Sequence, residues 1–194
     1  MIDHKIGFIG LGNVGSKLAN NILQADYNLF IYDLNKSTSN ELVNKGAVWK
    51  NSVKEIVDNT SLIITCLPSP QAVTEVVESK LGMIENINNK HLWIEMSTTD
   101  EKEMIRLSKL IESKGANVLE APVTGGQHRA ESGNISVLTA GKRENFNRAF
   151  PILSEIGFQV LYCGKLGNAS TPKVVTNYLA SINLLALGEA LMVC

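Results

Sequence analysis

Cysteine is scarce in this chain: Cys66, Cys163 and Cys194 are the only three in 194 residues, and no two stand as CxxC. That spacing excludes a disulfide scaffold and a zinc ribbon. His4, His91 and His128 form no ligand-like pairing with the thiols, so no metal is expected. Charge of one sign is lacking too. Lys and Arg number 18 against 19 Asp and Glu, a net charge of −1 without the basic surplus that nucleic acid or an acidic membrane attracts. No internal repeat, low-complexity tract or long charge run appears. No targeting segment precedes the first apolar run, so reduced thiols in a cytoplasmic setting are the expectation. What is present is 44% hydrophobic residue in a length that holds one sizeable domain and part of a second.

Short apolar runs alternate with segments of helical spacing. Ile6–Ile9, Leu29–Tyr32, Leu62–Leu67, Leu92–Glu95, Val118–Glu120, Ile135–Thr139 and Gln159–Tyr162 read as strands. Helices are expected from Val14 to near Asp26, over Ser37–Lys45 and Ser52–Val57, and over Asp100–Lys114 and Glu144–Ile156. Met104, Ile105, Leu107, Leu110 and Ile111 are expected to face inward. Ser52 with Glu55 three residues on makes a capping box. Pro68 and Pro70 read as the end of the third strand. Strand–helix alternation throughout predicts an α/β fold, a doubly wound parallel sheet with helices on both faces.

The first strand runs into Gly10, Gly12 and Gly15, a G-x-G-x-x-G turn at a helix start, and Asp33 closes the second strand 18 residues after the last glycine. In that context the turn is a dinucleotide fingerprint. Gly10 permits the tight turn, Gly12 admits a pyrophosphate to the backbone, and Gly15 lets the helix lie close to the strand. Free N–H groups at the helix start attract the phosphates. Asp33 is placed to accept hydrogen bonds from ribose hydroxyls.

Three later stretches extend the pattern: EAPVTGGQHRAESGNISVLTAG at 120–141, GKLGNASTPKVVTNYL at 164–179, and CLPSPQAV with EMSTTD at 66–73 and 95–100. With GFIGLGNVG at 7–15 they resemble the β-hydroxyacid dehydrogenase family, which includes 3-hydroxyisobutyrate dehydrogenase, tartronate semialdehyde reductase and, more distantly, 6-phosphogluconate dehydrogenase. The resemblance implies a Rossmann-type NAD(P)-binding domain over residues 1–163 and, over 164–194, an interdomain helix that begins an all-helical domain. It implies hydride transfer between NAD, or NADP, and a small 3-hydroxy acid or aldehyde acid. The family's cofactor turn falls on Gly10, Leu11, Gly12, Asn13, Val14 and Gly15, with further cofactor contacts on Leu67, Pro68 and Thr98. Its substrate loop falls on Thr124, Gly125 and Gly126, its catalytic lysine on Lys173 and the companion amide on Asn177.

By spacing alone Lys173 reads first as a solvated lysine at a helix start, and Thr124-Gly125-Gly126 serves equally as a plain turn; the resemblance reverses both. Thr98 stands where it can also cap a helix, with Glu101 completing the box. Lys173 and Asn177 are four apart, hence on one helix face. Departures from the family lie at Arg129-Ala130, where members usually carry Gly-Ala and which His128 precedes, and at Thr176, where many carry a second Asn. Arg129 is open to two readings: a second anionic group on the substrate, or pairing with Glu131 or Glu120. A 6-phosphogluconate dehydrogenase is expected to be longer and to place a His at 176, which disfavours that branch. A cofactor-binding module without catalysis and an imine-type reductase are the alternatives in other classes. The segment Val174–Val193 is almost uncharged and long enough to span a membrane. Its scattered polar residues favour burial between protein parts instead. With no helix-ending signal at Cys194, the expectation is a fragment of a longer protein, or a homo-oligomer built on this helix.

Overall fold

The structure, a computed structural model, describes residues 5–193. His4 and Cys194, among the histidines and thiols counted above, lie outside the described residues. The order begins β1 (Lys5–Ile9), α1 (Gly15–Gln24), β2 (Asn28–Tyr32), α2 (Asn40–Asn44), β3 (Val48–Trp49), α3 (Val53–Asn59), β4 (Leu62–Thr65) and α4 (Pro70–Glu78). It continues β5 (Leu92–Glu95), α5 (Glu101–Ser113), β6 (Asn117–Glu120), β7 (Val123–Thr124), α6 (Gly126–Glu131), β8 (Ser136–Gly141), α7 (Arg143–Ile156), β9 (Gln159–Tyr162) and α8 (Ser170–Val193). Short 3₁₀ turns at Lys36–Ser39 and Met83–Glu85 lead into α2 and follow α4.

The strands join in one sheet in the order β3-β2-β1-β4-β5-β6-β8-β7, with β9 on the other side of β8. From β3 to β6 every pairing is parallel. The expected all-parallel sheet ends there, because β8 runs antiparallel to β6 and β7. A short α6 connection returns the chain beside the strand it has just left, and only a longer crossover reaches a parallel neighbour. β9 regains that direction through the α7 crossover and pairs parallel with β8.

Side-chain alternation divides the core in two. Ile6, Phe8, Leu62, Ile64, Leu92, Ile94 and Leu119 face the layer of α1, α6 and α7. Ile9, Ile63, Trp93 and Val118 face α3, α4 and α5. Both faces are buried, so the parallel strands read as continuous apolar runs. Asn21 of α1 donates to the carbonyls of Ala130 and Ile156 at 2.9 and 3.4 Å, tying α6 and α7 to the first helix.

Local expectations hold with four corrections. Pro70 does not merely end a strand: it occupies the first turn of α4, and the Ser69 hydroxyl accepts the Ala72 N–H at 3.2 Å as its cap. Proline is suited to that position because its missing N–H is unneeded there. Thr98 does not cap α5; Asp100 does, accepting the Glu103 N–H at 3.0 Å. Ile105 lies half-exposed on α5 rather than in the core. In the capping box of α3, Ser52 accepts the Glu55 N–H at 3.1 Å, but Glu55 reaches back to the Asn51 N–H at 3.0 Å, one residue before the cap.

The last helix, α8, is 24 residues long and apolar enough to cross a membrane by length and composition. Only Ser170 of it is buried, and Tyr178, Leu184, Leu185, Leu187 and Leu191 stand exposed.

Candidate active site

The turn after β1 is shaped by two contacts that a side chain would destroy. Gly10 has φ +98°, and a Cβ there would lie 2.3 Å from the Cys66 carbonyl oxygen. A Cβ on Gly15 would lie 2.1 Å from the carbonyl oxygen of Gly10, so α1 starts hard against the turn. Gly12 differs: a Cβ there would meet nothing within 4 Å, which leaves its bare backbone facing open space. No side chain caps α1 and no acid sits in its first turn, so the helix start presents N–H groups to an incoming anion.

Asp33 holds this turn to the end of β2. Its Oδ2 accepts the Leu11 N–H at 2.7 Å and its Oδ1 the Asn35 N–H at 2.8 Å, and each oxygen keeps a lone pair for a further donor. Leu11 is otherwise committed to the core, so its side chain and its amide are both already used. A cleft of about 830 Å³ opens here, lined among others by Gly12, Asn13, Val14, Asp33, Leu67 and Pro68. An uncapped helix start, an unobstructed glycine and a carboxylate with free lone pairs on one cleft are the donor and acceptor set a dinucleotide requires. Thr98 is exposed and stands outside the cleft lining.

The far wall of the cleft is fixed by two strand ends. The Leu67 N–H donates to Ser97 Oγ at 2.8 Å. Glu95, buried at the end of β5, accepts the Ser97 N–H and the Thr65 hydroxyl, and Thr65 accepts the Trp93 indole N–H at 2.8 Å. Burial pushes the Glu95 carboxyl up to about 7 against the pull of those donors. Burial, with the Glu95 charge beside it, also pushes the Cys66 thiol up to about 12, so this cleft-lining cysteine stays a neutral thiol.

The predicted substrate loop and lysine approach from the next strands. Thr124 pairs with Ser136 at the end of β7, and Gly125 and Gly126 follow with φ +136° and +79°. α8 packs against β7. On that helix Lys173 Nζ donates to Asn177 Oδ1 at 2.8 Å, and burial holds the half-buried Lys173 ammonium below the usual lysine range. Arg129 lies exposed on α6, its stem over Gly125. Neither proposed partner engages it. Glu131 pairs with Lys17 at 2.9 Å, and Glu120 turns inward. His128 is exposed on the same helix.

Glu95, Ser97 and Glu120 lie inside the 95–100 and 120–141 stretches, but the sequence alone assigns them no supporting role in the site. A signal for the acids was available: LWIE and NVLE each end an otherwise buried strand on a carboxylate. An acid at that position needs partners.

The raised Glu95 carboxyl has a consequence for stability. The group titrates near 4.5 when unfolded and about 7 when folded, so across that window the folded chain binds more protons. Its contribution is fully present below the lower value and is lost as pH rises through the upper one. Urea unfolding of wild type and Glu95→Gln at pH 5 and pH 7.5, roughly bracketing that window, checks this. The wild type is expected to lose more stability than the variant over the interval; equal losses would contradict the assignment.

Comparison with known proteins gives a consistent picture. Residues 5–164 match the family model described as the NAD binding domain of 6-phosphogluconate dehydrogenase. The chain is 33% identical over 186 residues to mitochondrial 3-hydroxyisobutyrate dehydrogenase of Mus musculus, covering 96% of this chain and 56% of that protein. It is 33% identical over 187 residues to the chloroplastic glyoxylate/succinic semialdehyde reductase 2 of Arabidopsis thaliana, covering 96% of this chain and 52% of that one. The solved structure of Mycobacterium tuberculosis 3-hydroxyisobutyrate dehydrogenase with L-serine superposes with a TM-score of 0.90 at 26% identity, over 98% of this chain and 64% of that one. The chain thus spans little more than half the length of the curated relatives it matches. A parallel sheet whose first turn is a bare glycine loop, matched over residues 5–164, places the chain in the family of NAD-binding domains typified by that of 6-phosphogluconate dehydrogenase.

Proposed function

We propose that the protein is a nicotinamide-dependent 3-hydroxyacid dehydrogenase, or aldehyde-acid reductase, acting on a small carboxylate. The observation that carries this reading is Lys173: a half-buried lysine, its ammonium pulled below the usual range and bonded to Asn177, on a helix that meets the sheet beside the Thr124-Gly125-Gly126 loop. When bound, a nicotinamide dinucleotide supplies or accepts the hydride. Lys173 then gives a proton to the carbonyl oxygen on reduction, or takes one from the hydroxyl on oxidation. Lowering its pKa brings both forms of the lysine nearer to working pH. Asn177 fixes the ammonium through its carbonyl oxygen and leaves its amide N–H groups for substrate. Thr124 offers a hydroxyl, and Gly125 and Gly126 offer backbone N–H groups, to the substrate carboxylate, with Gly126 facing open space.

The cofactor turn of residues 10–15 takes the pyrophosphate, and the free lone pairs of Asp33 take ribose hydroxyls. A carboxylate at that point welcomes a 2′-hydroxyl and repels a 2′-phosphate, so NAD is the preferred cofactor. Lys36, the nearby cation that would soften this preference, holds its ammonium 5.8 Å from the centre of the Trp49 ring. In this reading residues 1–163 form the nucleotide-binding unit, and residues 164–194 open a helical second unit. The apolar faces of α8 support a homo-oligomer. Each Leu or Ile covered there contributes ~1.5–3 kcal/mol, a large reward for pairing with protein. The free thiols of Cys66 and Cys163 accord with a cytoplasmic location.

Two experiments test this reading. Titration of NAD and NADP at matched ionic strength should show tighter binding of NAD, and Asp33→Ala should narrow the gap. Tighter binding of NADP by the wild type would refute the Asp33 assignment. For Lys173→Ala, turnover of a hydroxyacid panel should fall by roughly 10²–10⁴-fold, the worth of a positioned acid or base, with cofactor affinity almost unchanged. In the wild type the reductive rate should decline, and the oxidative rate climb, as pH rises through the lysine's lowered pKa. Turnover that survives the substitution within a few-fold would return Lys173 to the status of a surface residue.

A further inference from the structure

We propose that Glu120 is the positioning residue for Lys173: from the end of β6 it grips the first turn of α8 and so sets where the lysine stands relative to the cofactor cleft. This rests on the reading of Lys173 as the proton-transfer group, and it assigns a part to a residue that opens the 120–141 stretch but lies outside its Thr124-Gly125-Gly126 substrate loop.

The geometry is specific. Glu120 is 1% exposed; its Oε2 accepts the Gly167 N–H at 2.7 Å and its Oε1 accepts the Ser170 hydroxyl. The N–H groups of Ala169 and Ser170 also point at this carboxylate. The start of a helix carries a partial positive charge and unpaired N–H groups, and α8 has no acid of its own in its first turn. Glu120 supplies that acid from the sheet. Ser170, Lys173 and Asn177 recur at three- and four-residue steps, so they form a single stripe along α8. The residue gripped by Glu120 and the two predicted catalytic residues therefore share one face. The Lys173 N–H bonds to the Ala169 carbonyl at 3.2 Å, in the same turn that Glu120 holds.

Little else fixes α8. Ser170 is its one buried residue, and just before it Ala169 packs in a small cluster with Leu138 and Ala140. Everything beyond the first turns is half-buried or exposed. The same strand row reaches the cofactor. Glu120 is the register partner of Glu95, which holds Ser97, which in turn holds the Leu67 N–H at the cleft. The groups facing Glu120 are Glu95 from β5, Cys163 from the end of β9, and the turn Gly167–Ser170. Glu101 of α5 packs on Gly167 from outside. No cation lies among them, so backbone N–H groups and one hydroxyl are what hold the carboxylate.

The test uses the full chain, with amide hydrogen exchange and NMR titration of the Lys173 side chain in wild type, Glu120→Ala, Glu120→Gln and Ser170→Ala. For Glu120→Ala, exchange over residues 167–174 should accelerate by about tenfold or more, the weight of one or two lost hydrogen bonds, while β5 and α5 keep their protection. The Lys173 titration should move up toward that of an exposed lysine, and the cofactor dissociation constant should stay within about threefold, since the cleft is untouched. Glu120→Gln keeps an acceptor for Gly167 and should fall between the two. Ser170→Ala removes only the helix-side hydroxyl and decides the matter if Glu120→Ala does not fold. Unchanged exchange over 167–174 and an unchanged Lys173 titration in Glu120→Gln and Ser170→Ala would overturn the proposal. Lys173→Ala separates the two levels. Full turnover in that variant removes the proton-transfer reading even where α8 is loosened, whereas lost turnover with a firm α8 in the Glu120 variants removes only the anchor.

Discussion

Two carboxylates, Glu95 and Glu120, lie side by side at the ends of adjacent parallel strands, each 1% exposed. Taking an ionised carboxylate out of water costs several kcal/mol, so such a pair persists only where donors meet it. Each acid has found a different set. Glu95 takes the hydroxyl of Thr65 and the amide of Ser97; Glu120 takes the turn that starts α8. Burial raises both carboxyls above their ordinary range, and their mutual repulsion adds to the rise for Glu95. The rest of the site hangs from this row. Through Glu95 it sets the Leu67 loop on the cofactor side, and through Glu120 it sets the helix that bears Lys173.

In-register parallel strands make that coupling possible. Ile9, Thr65, Glu95 and Glu120 stand opposite one another across β1, β4, β5 and β6. Their side chains share the face occupied by Trp93 and Val118. A parallel sheet brings all its carboxyl ends to one edge, where loops from distant parts of the chain meet. The glycine turn, the Leu67 loop and the Thr124 loop follow strands of that sheet. Asp33 holds the first of these directly, accepting the Leu11 N–H, whereas Glu95 holds the second through Ser97, whose N–H it accepts and whose hydroxyl oxygen accepts the Leu67 N–H.

Much of this was legible in the residues. Ile6–Ile9, Leu92–Glu95 and Gln159–Tyr162 declare themselves as strands because they are short, apolar and stopped by glycine or polar residues. The glycine turn declares its role through its place between a strand and a helix. α4 was hidden because Pro70 carries two meanings, strand end and helix start, and local pattern does not choose between them. The direction of β8 was hidden for another reason: strand polarity depends on how the chain returns, not on the composition of the strand. Glu120 and Glu95 were visible as residues but not as partners, since their donors lie 47 and 50 positions away at Gly167 and Ser170, and 30 away at Thr65. The apolar character of α8 was plain in its sequence, and within the single chain most of that surface remains uncovered.

The central claim is that the cleft and Lys173 together carry out hydride and proton exchange on a small carboxylate. Isotope transfer measures this directly. Cofactor carrying deuterium at the reactive nicotinamide carbon is mixed with a panel of small aldehyde acids, and the products are read by mass spectrometry and NMR. The account predicts a hydroxy acid with deuterium on its carbinol carbon, formed one for one with oxidised cofactor. Cofactor bound tightly in the cleft, with no deuterium delivered to any aldehyde acid by the complete protein, would contradict it.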